Sequence, residues 1–164
     1  MKKILLSIVV ILILPIAAFA DWGVGGAAFL KSPVLLGQEI DADYLNVNQF
    51  SFGGDLRYKQ GWFQAEGLLL YSAGDISSLD AYLDAGVALD LSIARLSIGA
   101  GPNFSNNFGE SDPIQAGLNA KVSADVVFGP ISCGLSYIMS MNLDNGLAVK
   151  TGSGLLGASI LYWY

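Results

Sequence analysis

The chain has 164 residues, a length that suits a single domain, and its formal net charge is −6. Its 53% hydrophobic residues exclude an intrinsically disordered chain, and the negative charge without a basic cluster argues against a nucleic-acid-binding protein. The absence of histidine removes the residue type that most often acts as a general base or as a metal ligand.

The N-terminal segment has the pattern of a cleaved secretory signal peptide. Lys2 and Lys3 precede an apolar run that ends in Ala18-Phe19-Ala20. A positively charged start, a short apolar run and small residues at the last and third-last positions before the cleavage site are typical of such signals. The run is also short for a transmembrane helix. We therefore expect residues 1–20 to be removed and residues 21–164 to remain as one exported domain.

From Asp21 onward, apolar and polar residues alternate with a period of two, which predicts β-strands rather than helices. The segments are longer than average strands and match the roughly nine to eleven tilted residues of a membrane-spanning strand. Eight segments follow the pattern: Trp22–Lys31, Asn48–Lys59, Trp62–Ser72, Leu79–Asp90, Arg95–Phe104, Ile114–Val127, Ile131–Met141 and Ser153–Tyr164.

Short and long connections alternate between these segments. Three are tight turns, at Gln60-Gly61, Leu91–Ala94 and Phe128-Gly129-Pro130. Four are longer, namely Ser32–Val47, Ala73–Ser78, Ser105–Pro113 and Asn142–Gly152. Tight turns at one end and longer loops at the other are typical of outer membrane barrels. The pattern predicts an all-β fold, an eight-stranded antiparallel transmembrane up-and-down β-barrel over residues 21–164.

Alternation alone does not decide which face lies inside the barrel, but composition and aromatic positions do. The polar face is rich in Gly and Ser and carries charges of both signs, which suits a narrow lumen. Aromatic residues of the apolar face concentrate near strand ends: Trp22, Tyr58, Phe63, Phe128, Tyr162 and Tyr164 at one end, and Phe50, Phe52, Tyr71 and Phe104 at the other. Two such girdles mark the interfaces of a membrane barrel, so we expect the apolar face to contact lipid.

The last strand alternates up to a terminal aromatic residue. Its final outward positions, Ile160, Tyr162 and Tyr164, resemble the C-terminal assembly signal of bacterial outer membrane β-barrel proteins, which ends in Phe or Trp rather than Tyr. With the signal peptide and the eight strands, the whole chain resembles the small eight-stranded outer membrane proteins of the OmpW, OmpX and OmpA transmembrane-domain type. The resemblance implies location in the bacterial cell outer membrane, contact with its lipid and insertion by the barrel-assembly machinery.

Catalysis is not expected. The lipid A deacylase, the lipid A palmitoyltransferase and the omptin proteases are enzymes of similar architecture, and each uses a catalytic His that this sequence lacks. Asp80 and Asp84 have the chemistry of an acid/base couple, but ion pairing inside the lumen is the simpler interpretation. We therefore predict a non-catalytic protein without a metal or cofactor.

The predicted inward side chains differ along the barrel. Those nearer the longer loops include the apolar residues Phe29, Leu68, Leu70, Tyr82, Ile138 and Leu155. The charged inward residues form a predicted network of Asp55, Arg57, Glu66, Asp80, Asp84, Asp90, Arg95, Lys121 and Asp125. An eight-stranded barrel has room for side chains or for one small ligand. The sequence thus predicts an apolar pocket that opens outward above a charged plug.

This arrangement resembles OmpW, whose barrel has been interpreted as a conduit for small hydrophobic molecules. The resemblance implies that the protein binds or passively admits a small hydrophobic ligand. Two alternatives stay open: a structural or surface-interaction, adhesin-like barrel whose lumen is sealed by side chains, and a narrow pore for small ions.

Overall fold

The computed structural model describes residues 21–31, 49–73, 77–109, 114–142 and 154–164. Within these ranges the chain forms one closed barrel in which neighbouring strands are antiparallel and follow chain order. The strands are β1 (Asp21–Lys31), β2 (Phe50–Gln60), β3 (Phe63–Ser72), β4 (Ser78–Leu91), β5 (Ala94–Asn107), β6 (Ile114–Phe128), β7 (Ile131–Asn142) and β8 (Gly154–Trp163). The predicted all-β, eight-stranded antiparallel up-and-down barrel is confirmed.

The barrel closes between β1 and β8. Trp22 N–H donates to the carbonyl oxygen of Tyr164 at 3.1 Å, and Tyr164 N–H donates to that of Trp22 at 2.9 Å. The β1–β8 ladder continues from there toward the other end of the barrel. Because each described strand has two neighbours, the barrel presents no open sheet edge in the described ranges.

Three tight turns lie at one end of the barrel, together with Asp21 and Tyr164; we call this the turn end and the opposite end the loop end. The turns are Gly61-Trp62, Ser92-Ile93 and Gly129-Pro130. Two-residue hairpin turns need a residue with positive φ, and Gly61 and Gly129 have φ of 58° while Ser92 has 57°. Trp62, predicted to begin a strand, therefore lies in a turn.

Apolar side chains cover the outside of the barrel. Leu83, for example, is 51% exposed, whereas the next residue, Asp84, is 7% exposed and points inward. Outward aromatic side chains lie at both ends, among them Phe52, Tyr71 and Phe104 at the loop end and Phe63, Phe128, Tyr162 and Tyr164 at the turn end. This inverts the arrangement of a water-soluble protein and matches a barrel that faces lipid.

Parts of the sequence-based prediction fall outside the described residues. These parts are the signal peptide at residues 1–20 and most of the four longer connections. Within the described ranges, no helix is both long enough and apolar enough to cross a bilayer.

Candidate functional site

The lumen is the candidate site, and its inward side chains fall into four regions from the turn end to the loop end. At the turn end, Asp90 forms ion pairs with Lys59 at 2.6 Å and with Arg95 at 2.7 Å. The guanidinium of Arg95 lies 4.3 Å from the centroid of the Trp163 ring. Trp163 Nε1 donates a hydrogen bond of 2.8 Å to Ser132 Oγ. These five residues form the turn-end cluster.

Sequence reasoning missed Trp163 as a lumen residue. Its position between the outward residues Tyr162 and Tyr164 is the signal that identifies it, because neighbours along a strand point to opposite faces. The Trp163 ring lies directly against Gly23 of β1, where an added Cβ would come within 2.9 Å of it. The indole therefore covers the turn-end opening beside the β1–β8 seam.

The second region is a charged layer centred on Arg57, whose side chain is fully buried. The guanidinium forms ion pairs with Asp55 at 2.8 Å, Asp125 at 2.9 Å and Glu66 at 3.4 Å. It also donates to Ser159 Oγ at 2.9 Å. These partners come from β2, β3, β6 and β8, so one side chain links strands on several sides of the barrel.

Lys121 and Asp84 complete the charged layer. Lys121 pairs with Glu66, and Asp84 accepts a hydrogen bond from Asn119. A cavity of about 10 Å³ is lined by Glu66, Asp84 and Lys121, among other residues. That volume admits about one water molecule. The charged layer thus contains six of the nine residues predicted for the network: Asp55, Arg57, Glu66, Asp84, Lys121 and Asp125.

The third region is an apolar layer directly above the charged one. It is a single buried cluster of Ala27, Phe29, Leu68, Leu70, Tyr82, Ile138 and Leu155. All six residues predicted to line an apolar pocket lie in it, together with Ala27. The Lys121 ammonium lies 5.8 Å from the centroid of the Phe29 ring and so joins the two layers. Phe29 fits because Gly157 on β8 leaves room; a Cβ there would lie 2.3 Å from its ring.

The fourth region is a cavity of about 360 Å³ at the loop end. Its lining comprises Lys31, Ser51, Ser78, Asp80, Tyr82, Asn103, Ser105, Asn107, Gln115, Ala116, Ser140, Gly154 and Leu155. Of the six predicted pocket residues only Tyr82 and Leu155 reach it. Most of the residues that line the loop-end cavity have polar side chains, so it is not the apolar outward-facing pocket that the sequence predicts. The apolar side chains pack against one another and form its floor instead.

Three residues of the predicted charge network lie outside the charged layer. Asp90 and Arg95 belong to the turn-end cluster. Asp80 lies on the far side of the apolar layer, in the loop-end cavity. There it accepts hydrogen bonds from Ser78 Oγ at 3.0 Å and from Ser105 Oγ. The prediction of a single network is thus corrected for Asp80, because the apolar layer separates it from Arg57, Arg95 and Lys121, the basic residues of that network.

The residues of the predicted assembly signal lie at the turn end. Ile160, Tyr162 and Tyr164 are all exposed on the outer face. Tyr164 also contributes the backbone hydrogen bonds with Trp22 that begin the β1–β8 ladder. Their use as a signal stays a prediction, but their side chains are free to contact another molecule.

No protein-family model and no curated protein matches the sequence significantly. The structure of Neisserial surface protein A, NspA, is similar with a TM-score of 0.49 and 15% identity over 88% of this chain and 96% of that one. The N-terminal β-barrel domain of Pseudomonas aeruginosa OprF gives a TM-score of 0.65 at 12% identity, over 89% of this chain and 98% of that domain. The chain has the fold of a small outer membrane β-barrel. In this outer membrane barrel fold, the side chains named for the four lumen regions all belong to the strands.

Proposed function

We propose that the chain is an integral, non-catalytic protein of the bacterial outer membrane whose barrel is closed to solutes. Such a barrel anchors the connecting segments of its loop end at the cell surface, which is the structural or surface-interaction alternative of the sequence analysis. The observation that carries the proposal is the stacking of the packed apolar layer on the Arg57-centred charged layer. Insertion by the barrel-assembly machinery and contact with outer membrane lipid belong to the same proposal.

The apolar exterior supports the location in a membrane. An outward surface of exposed Leu, Ile, Val and Phe side chains is unfavourable in water but is matched by lipid. Cell fractionation tests this part of the proposal. The protein should be extracted only by detergent and should migrate differently in SDS gels before and after heating. Recovery as a soluble periplasmic protein would contradict the proposed location.

Conductance and swelling measurements test whether the lumen is closed. The detergent-folded protein is reconstituted into planar bilayers and into liposomes, with a large porin as the positive control. We expect no conductance steps above those of the bare bilayer and no swelling in small sugars, because side chains fill the barrel over two layers. Steady conductance of small ions by the wild-type protein would instead favour the narrow-pore alternative.

A second candidate is the binding or passive entry of small hydrophobic molecules. It is favoured by the two apolar-layer residues, Tyr82 and Leu155, that reach the loop-end cavity. Liposome uptake of a small apolar solute distinguishes the candidates. A closed barrel gives the same uptake as empty liposomes, whereas a conduit gives more.

The Leu70→Asp variant sharpens this distinction. Leu70 is completely buried in the apolar layer, and an unpaired charge in such a place costs several kcal/mol. In a closed barrel the variant should fold in lower yield, and uptake should not change. In a conduit the new carboxylate would be hydrated, so the barrel should fold normally while uptake falls.

A further inference from the structure

We propose that the loop-end cavity binds a small organic ammonium compound, with the carboxylate of Asp80 as its counter-ion. This site is independent of the proposed closed barrel, because the cavity lies above the apolar layer and requires no passage through it. Its volume of about 360 Å³ falls within the usual size of small-molecule pockets, roughly 300–1,000 Å³.

Asp80 differs from most other lumen carboxylates in its partners. Asp55, Glu66 and Asp125 each pair with Arg57, and Asp90 pairs with two basic residues. In the part of the chain that the structure describes, Asp80 forms no ion pair, and its bonded partners are the hydroxyl groups of Ser78 and Ser105. Two hydroxyl groups orient a carboxylate but do not neutralise it. A negative charge therefore faces the cavity without a basic side chain in direct contact with it.

Lys31 also lines the cavity, on β1. It is exposed at the end of its strand and makes no ion pair with Asp80 among the described residues. The two charges therefore do not cancel by direct contact. The Asp80 carboxylate on β4 therefore remains a negatively charged group in the cavity wall.

The rest of the cavity wall suits a ligand that donates hydrogen bonds. A primary ammonium group has three donors and no acceptor. Elsewhere on the cavity wall lie the amide and hydroxyl groups of Asn103, Ser51 and Gln115, of which the Ser51 hydroxyl is hydrogen-bonded to that of Ser72. The Tyr82 ring and Leu155 provide apolar contact at the floor for the carbon skeleton of such a ligand.

The charge of the adjoining segments favours a cationic ligand. The segments that connect the strands at the loop end contain seven acidic residues, Glu39, Asp41, Asp43, Asp75, Glu110, Asp112 and Asp144, and one basic residue, Lys150. Charges of one sign around a cleft raise the local concentration of the opposite ion. The excess of negative charge in these segments therefore favours a cationic ligand over an anionic one at this end of the barrel.

An ammonium ligand fits this site better than a divalent metal ion. Ca²⁺ takes six to eight oxygen ligands, typically with several carboxylates. Nowhere in the described ranges do three or more Asp, Glu, Cys or His side chains come together as a metal site. One carboxylate with neutral oxygens around it matches a single positive charge on an organic molecule.

Calorimetric titration of the full detergent-folded protein tests the proposal. The probes are glucosamine, ethanolamine and spermidine, each below the pKa of its amine, with glucose as the neutral counterpart of glucosamine and CaCl₂ as the metal control. The variants are Asp80→Asn and, as the matched control, Asp21→Asn. The control removes the same charge from an exposed position at the turn end.

We expect at least one of the amines to bind the wild type and Asp21→Asn equally, and to bind Asp80→Asn about tenfold more weakly or not at all, as for the loss of a charge-assisted hydrogen bond. Glucose should not bind. The proposal is overturned if no amine binds, if glucose binds as well as glucosamine, if only Ca²⁺ binds, or if both substitutions weaken binding alike. If Asp80→Asn does not fold, the difference between glucosamine and glucose on the wild type decides the question.

Discussion

The guanidinium of Arg95 lies 4.3 Å from the centroid of the Trp163 ring, so the first inward side chain of β5 meets the last inward side chain of β8. The two strands are not neighbours in the barrel. The contact therefore crosses the lumen and closes the turn end from within. A cation over an aromatic face adds about 0.5–2 kcal/mol to the packing.

Trp163→Ala should lower the free energy of unfolding by about 3 kcal/mol or more, because the substitution removes a large buried ring. Trp163→Phe should cost about 1 kcal/mol, since it keeps most of the packing but loses the hydrogen bond to Ser132. Trp62→Ala is the control, because that ring is 66% exposed in a turn. Urea unfolding in lipid vesicles measures all three. Equal midpoints for the two alanine variants would contradict a closing role for Trp163.

Arg57→Met should destabilise the barrel by about 3–5 kcal/mol, as expected when one partner of a buried ion network is removed. The loss arises because three carboxylates remain buried without their shared cation. Adding Asp55→Asn to this variant should recover part of the stability, since it removes one of the uncompensated charges. Unfolding curves of the two single variants and the double variant test this. Strictly additive effects would show that Arg57 and Asp55 act independently.

Gly53→Ala should prevent normal closure of the barrel, whereas Gly54→Ala should be tolerated. A Cβ on Gly53 would lie 1.7 Å from the carbonyl oxygen of Leu69, a backbone atom of the neighbouring strand. The nearest atom to a Cβ on Gly54 is the carbonyl oxygen of Gly25 at 3.9 Å. The fraction of heat-modifiable protein after refolding measures the difference between these adjacent substitutions. Equal folded fractions would indicate that the strands adjust freely.

Deletion of residues 162–164 should block insertion of the protein in cells. The deletion removes two exposed tyrosines of the predicted assembly signal and the hydrogen bonds between Trp22 and Tyr164. Replacing Tyr162 and Tyr164 by Ser keeps the backbone ladder and removes only the aromatic side chains. If the serine variant refolds in vitro but fails to insert in cells, the side chains act as a signal. Normal outer membrane levels of either variant would contradict the predicted signal.

The direction of each side chain could be predicted from the sequence, because a strand allows only two faces. Asp84, Lys121 and Ile138 point inward, as the alternation of side chains along their strands requires. Depth within the lumen was harder to predict. Asp80 and Asp84 lie on the same face of β4, yet they are on opposite sides of the apolar layer. Depth depends on the register between strands and on side-chain packing from the opposite wall, and neither is contained in one strand's pattern.

Strand bounds show a similar limit. The alternating pattern predicts a strand over Arg95–Phe104, whereas β5 extends over Ala94–Asn107. The three residues added at its C-terminal end, Ser105, Asn106 and Asn107, are all polar and so end the apolar alternation. Their backbones nevertheless continue the pairing with β4. The alternating pattern depends on apolar side chains on the outer, lipid-facing surface. It therefore ends where the strand continues beyond that apolar surface.

The hydrogen bonds between Trp22 and Tyr164 place the two ends of the described barrel side by side. The ladder is therefore a ring without a geometric beginning, and β1 comes first only in chain order. A short linker between Asp21 and Tyr164, with new ends opened at Gly129-Pro130, would preserve every strand pair in a circularly permuted protein. Such a permutant would carry the same set of contacts but a different order of synthesis, and would separate the influence of strand pairing from that of chain order.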